Sequence, residues 1–193
     1  MNRPYRSGRA RPGPGSPSTR KPGTVRANFV DVETLPADLV LHPLGGNDRT
    51  LDEQLKLFHL VAVVLDPYTY ESSWILDTAN RILTGFTNAD CRTAWVVAAE
   101  PEGTREFLGE LADQHLVFCD PDREFIAATG VTELPAFVVI DLARTLVGAA
   151  GGWNPQEWQP IAEELAREMS WTSPAIIRTG DPAPFEGTPA LAQ

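Results

Sequence analysis

Two cysteines, three histidines and one pair of adjacent serines are the residues of this chain with the clearest potential for covalent chemistry. Cys91 and Cys119 stand 28 positions apart. That spacing is neither a CxxC pair nor a zinc pattern, and two cysteines are too few for the disulfide framework of a small secreted domain. A serine nucleophile needs a paired base and a third orienting group. His42, His59 and His115 lie on strand edges or lead-ins, with no catalytic spacing to anything. Ser72 and Ser73 are therefore read as helix caps, and neither a metal site nor a cofactor is expected. Asp52-Glu53 and Glu163-Glu164 suit solvated helix faces. Gly151-Gly152 suits a turn, because no GxGxxG or Walker pattern follows a strand.

The elements that must position these residues alternate along the chain. "DLVLHPL" reads as a short strand, Gly45-Gly46-Asn47-Asp48 as a turn and "LDEQLKLF" as a short helix. "LVAVVLD" is a continuous apolar run, typical of a strand covered on both faces. From Ser72, apolar residues at 75, 79, 82, 83 and 86 recur at helical spacing. "TAWVVAAE" and "HLVFCD" are further buried strands, with a helix opened by Pro101 between them. Asp120-Pro121 is read as a cap and first turn of a helix that Gly130 closes. "AFVVID" and "TLVGAA" form a hairpin, and Asn154-Pro155-Gln156-Glu157 opens a last helix as a capping box. The pattern implies a three-layer α/β/α domain with a mixed central sheet.

Charge divides the chain. Residues 1–27 hold seven basic residues and no acid, which leaves nine basic against 26 acidic groups, a net of −17, for the remainder. Rich in Pro, Gly, Ser and Arg, residues 1–27 bury too little apolar surface to offset ordering entropy and are expected to be a disordered basic arm. Residues 28–170 form the domain, and 171–193 an extended Pro-rich tail. The acidic body repels nucleic acid and anionic membranes, so only the Arg3–Arg26 arm could tether a nucleic acid. With neither a signal peptide nor a membrane span in the sequence, a cytoplasmic location is the default expectation.

Four stretches carry a resemblance: "GGNDRTLDEQLKLFHLVAVVLDP", "VVAAEPEGTREFLGELADQHLVFCDPDREFIAATGV", "GVTELPAFVVID" and "GGWNPQEWQPIAEELARE". In this order, over roughly residues 36–169, they resemble the thioredoxin-like superfamily, and within it the redoxin branch of peroxiredoxins and thiol-specific antioxidant proteins. The resemblance implies a cis peptide at Leu134–Pro135. It also implies a reactive cysteine in "VVLDPYTYESSWIL", where this chain has none. Tyr70-Glu71-Ser72-Ser73 stands where a CxxC would be. Pro67 and Thr69 match the peroxiredoxin residue types at altered spacing. A Ser hydroxyl does not ionise near neutral pH and forms neither a disulfide nor a sulfenic acid.

The expectation is thus a redoxin domain without redoxin chemistry, a protein-binding module working through its former active-site edge. The edge comprises Tyr68, Tyr70, Glu71, Ser72, Ser73, Trp74, Leu134 and Pro135. Tyr68, Tyr70 and Trp74 fit two roles, core packing or interface anchoring. The rival is a thiol-dependent peroxidase or oxidoreductase using Cys119. Against it, Phe118 is apolar and Asp120 and Asp122 are anionic, features that raise a thiol pKa. On neighbouring parallel strands, Cys91 and Cys119 fall at opposite sheet ends, which disfavours a disulfide between them.

Overall fold

The computed structural model describes residues 34–191. The basic arm, with its nucleic-acid reading, lies outside the described residues. The chain opens with β1 (Val40–Pro43), β2 (Arg49–Thr50) and a one-turn helix α1 (Leu51–Gln54), followed by β3 (His59–Leu65). Helices α2 (Tyr70–Trp74) and α3 (Leu76–Thr84) lead to β4 (Cys91–Val97), then α4 (Pro101–Leu108) and β5 (Leu116–Cys119). Next come α5 (Glu124–Thr129), β6 (Glu133–Leu134), β7 (Ala136–Ile140), β8 (Leu146–Gly151), α6 (Pro155–Glu168) and β9 (Thr188–Pro189).

Seven strands form one mixed sheet in the order β2-β1-β5-β4-β3-β7-β8. Strands β3, β4 and β5 are parallel, and β7 runs antiparallel to β3 in a full-length register from Leu60↔Ile140 to Val64↔Ala136. β3 shows why its sequence is apolar throughout. Val61, Val63 and Leu65 pack into one core with Ile82 of α3 and Trp158 and Ile161 of α6. Leu60, Ala62 and Val64 pack into the other with Leu51 of α1 and Phe125 and Ile126 of α5. Side chains alternate faces along a strand, so a strand covered twice must be hydrophobic at every position. The first core centres on Trp158, stacked on Phe137 at 5.1 Å and met edge-on by Trp153 at 5.0 Å. Its indole N–H donates to the carbonyl of Gly152, so the burial leaves no polar atom of the ring unpaired.

The Leu134–Pro135 peptide is cis, as the resemblance implies. Three local expectations are revised. The helix expected from Ser72 is two helices, broken at Ile75, and neither serine caps it. The N-cap position is Thr69, which makes no side-chain capping bond. The helix expected at Asp120-Pro121 starts later, at Glu124, after Arg123 in a left-handed conformation (φ 58°). Asp120 still serves that helix end, its carboxylate accepting from the Phe125 and Ile126 amides at 3.1 Å each. At α6, Asn154 accepts from the Gln156 amide, and its own side-chain amide donates to Glu157, so the cap is not the reciprocal box.

The segment after residue 170 lies along the domain and reaches both cores. Ile176 is buried in the first core and Ala190 in the second. Between them, Arg81 of α3 donates to the carbonyls of Ala175 and Ile176 and grips both oxygens of Asp181, at 2.9 and 2.7 Å. Further on, Phe185 and Trp153 exchange two backbone hydrogen bonds of 2.9 Å, and β9 pairs antiparallel with β6. No period marks this segment in the sequence, because single anchors hold it rather than a continuous face.

Candidate functional site

β3 ends at the centre of the sheet, and the loop Asp66–Thr69 turns from it into α2. Asp66 organises that loop. Its carboxylate accepts from the Tyr68 amide at 2.9 Å, and its carbonyl accepts from the Thr69 amide and hydroxyl at 3.2 and 3.0 Å. Its own amide donates to Ser72 Oγ at 2.9 Å. The Thr69 and Ser72 hydroxyls are 3.1 Å apart. Ser72 is wholly buried (0 % exposed), so its hydroxyl is consumed in stitching the loop shut. Ser73 faces solvent.

None of the histidines activates either serine. His59 begins β3, the opposite end from Asp66, and its buried Nδ1 has no partner among the described residues. His42 pairs with Asp48 on the surface at 3.0 Å. His115 is held by Thr93 at 2.9 Å and Asn80 at 3.0 Å, and burial lowers its pKa. Among the described residues, no three His, Cys, Asp or Glu side chains gather in a way that could hold a metal ion.

The cysteines are both free and buried. Val97 is the register partner of Cys119, so Cys91 lies six residues away along β4, at the other end of the sheet. The pair is thus about 20 Å apart at ~3.3 Å per residue, far beyond disulfide reach. Burial, assisted by Asp90, pushes the Cys91 thiol up to about 12. Burial also raises Cys119, with the Thr104 side chain pulling it down and Glu100 pushing it up. The anionic influence on Cys119 therefore comes from Glu100 rather than from Asp120 or Asp122. Asp120 is turned onto the α5 amides.

The predicted edge divides into an exposed half and a covered half. Tyr68, Tyr70 and Trp74 are 78, 79 and 55 % exposed, so they are not core aromatics. Glu71 is half-buried beside them. Leu134 and Pro135 are buried. The chain's own C-terminal segment lies over Leu134, where Thr188 pairs with Leu134 and Pro189 with Glu133. Phe185 of that segment meets Trp74 edge-on at 5.5 Å. An open cleft of about 720 Å³ runs alongside, with Glu133, Glu157 and Glu186 in its walls.

Arg123 ties the loop to its cover. One guanidinium nitrogen lies 2.6 Å from Asp66 Oδ2, and another donates to the Ala190 carbonyl at 2.7 Å. Sequence reasoning missed Asp66, Arg123 and the covering segment. Asp66 carried a visible signal, an acid at the end of an apolar strand just before Pro67. Arg123 carried none, since its partners are 57 and 67 positions away.

No family model and no curated protein matches the sequence. Solved structures do match the fold. MTB dsbF is 19% identical, with a TM-score of 0.54 over 71% of this chain and 98% of that one. Xanthomonas campestris peroxiredoxin Q is 19% identical, with a TM-score of 0.56 over 70% and 96%. The thioredoxin domain of a Bacteroides vulgatus thiol-disulfide oxidoreductase is 12% identical, with a TM-score of 0.54 over 70% and 98%. A helix leaving the end of β3, a mixed sheet with β7 antiparallel to β3, and the backbone shared with these redoxins together make this chain a thioredoxin-fold protein.

Proposed function

We propose that this domain is a non-catalytic protein-binding module of the redoxin type, in which the former active-site edge receives a polypeptide. One observation carries the reading. The two positions that would hold the thiols of a CxxC are Tyr70 and Ser73, neither of which can supply a thiolate, and Ser72 between them is committed to its own loop, while three large aromatics at the same junction are left in solvent. Exposed Tyr and Trp clusters are costly to keep on a monomer surface and are frequent interface anchors. The adjoining carboxylates of Glu133, Glu157 and Glu186 would favour a partner with basic side chains near the contact. The two unpaired cysteines suit a reducing compartment such as the cytoplasm.

The rival reading is a thiol-dependent peroxidase or oxidoreductase using Cys119. It is favoured by the thiol chemistry named for the structural neighbours and by the place of Cys119 at the C-terminal end of β5. Peroxide consumption with dithiothreitol as reductant separates the two. The binding module gives the uncatalysed rate in both the wild type and Cys119→Ser. Robust turnover lost in Cys119→Ser would establish the enzyme instead.

A further inference from the structure

The C-terminal segment lies where an incoming strand would have to lie, and its sequence fits that place residue by residue. Phe185 and Trp153 exchange both backbone hydrogen bonds, and the Phe185 ring contacts Trp74. The Gly187 amide donates to Glu133 at 3.2 Å. A Cβ at Gly187 would meet the Leu134 carbonyl oxygen at 2.7 Å, so only glycine passes there. The Thr188 hydroxyl donates to the same carbonyl at 3.3 Å. Ala190, fully buried, donates its amide to Thr132 at 2.9 Å and accepts from Arg123. Main-chain pairing with pockets for alternate side chains is how an exposed sheet edge reads an added strand.

The hold on this segment is also limited. β9 is two residues long. Ala183, Pro184, Glu186, Pro189 and Leu191 are exposed, and Ala190 alone of Ala183–Leu191 is fully buried. The firm anchor, Asp181 in the grip of Arg81 and Thr78, lies before the segment and would stay in place if it lifted.

We propose that the β6 edge beside Pro135 is a peptide-binding site whose resident ligand is the chain's own Phe185–Ala190. Its partner is then an extended segment of the same chemistry: an aromatic residue, glycine two positions on, Thr or Ser next, and a small apolar residue two further. The proposal rests on the binding-module reading and adds that the site is self-occupied. A partner strand enters only when the resident segment leaves.

The test uses the full chain with a protease recognition sequence inserted between Ala183 and Pro184, assayed uncut and cut. The probe is a fluorescent peptide of residues 184–193, with a Gly187→Val version as control. The expected result is that the resident segment leaves the cut protein on dilution. The probe then binds cut protein at least tenfold more tightly than uncut, and the Gly187→Val probe binds neither. Equal binding to cut and uncut protein would overturn self-occupation and leave the binding edge standing. A resident segment that stays on the cut protein through prolonged dilution would overturn its role as a releasable ligand. Departure of the segment with no probe binding afterwards would overturn the proposal and the peptide-binding reading together.

Discussion

Arg123 and Asp66 meet at 2.6 Å beneath the loop that leaves β3, with the Asp66 side chain 8 % exposed and that of Arg123 25 %. Arg123 holds this contact from a left-handed backbone, a conformation that costs a side-chain-bearing residue roughly 1–2 kcal/mol. The strain is tolerated because the guanidinium serves two acceptors at once, Asp66 and the Ala190 carbonyl. Arg123→Ala keeps the strain and loses both bonds, so urea unfolding should show a loss of about 2–3 kcal/mol. Arg123→Gly loses the bonds but not the backbone fit, and should be about 1 kcal/mol more stable than Arg123→Ala. Equal stability of the two variants would mean that the left-handed backbone carries no cost here.

Ser72→Ala should destabilise by about 1–3 kcal/mol, because the buried Asp66 amide loses its acceptor. Ser72→Cys should gain no peroxidase activity, since the side chain at that position is shut away from solvent. Denaturant titration and a peroxide assay check both. Activity in Ser72→Cys would mean that the loop opens readily.

Neither cysteine should react with Ellman's reagent in minutes at pH 8 in the folded protein, and both should react in denaturant. With its thiol pushed up to about 12, Cys91 is thiolate in roughly one molecule in ten thousand at that pH. Fast native labelling abolished by Cys119→Ser would contradict the burial of that thiol.

Burial alone would raise the pKa of Asp181. The Arg178 amide, the Arg81 and Thr78 side chains and the Arg81 charge outweigh it and hold the group below the usual carboxylate range. A depressed folded-state value makes the contribution complete above the unfolded pKa of about 4, and it fades as pH falls through the folded value. Asp181→Asn should therefore narrow the stability gap between pH 7 and pH 3 in thermal melts. An unchanged gap would show that the clamp does not couple to folding.

Tyr68→Ala, Tyr70→Ala and Trp74→Ala should each weaken capture of a partner peptide. The tyrosine variants should shift stability by no more than about 0.5 kcal/mol, the usual range for surface sites. Trp74→Ala should cost somewhat more, because its ring rests on Phe185. Stability losses of several kcal/mol at Tyr68 or Tyr70 would point to packing roles instead.

Six of the seven strands of the sheet could be read in the sequence because each carries its own evidence, while β2, only Arg49–Thr50, could not. β3 is apolar at nearly every position, and β7 and β8 flank a turn at 142–144. The cis-proline was legible through resemblance alone. What stayed hidden is held by distant single contacts. Nothing in "GDPAPFEGTPALAQ" reports that Ala190 is buried or that Thr188 faces Leu134, because a two-residue strand has no periodicity to detect. The role of Ser72 was misread for a related reason. Serine at a helix start signals a cap, whereas this hydroxyl turns back to accept from the Asp66 amide, a contact made by the folded loop and not by the helix.

The cover of β6 is made late. Thr188 pairs with Leu134 across 54 positions of chain, and β9 is the last of the described elements. During synthesis at ~5–20 residues per second, roughly 3–10 s separate the emergence of the edge from that of its cover. For those seconds a nascent chain presents an unpaired strand next to three solvent-facing aromatics, the moment at which a neighbouring chain competes best for the same hydrogen bonds.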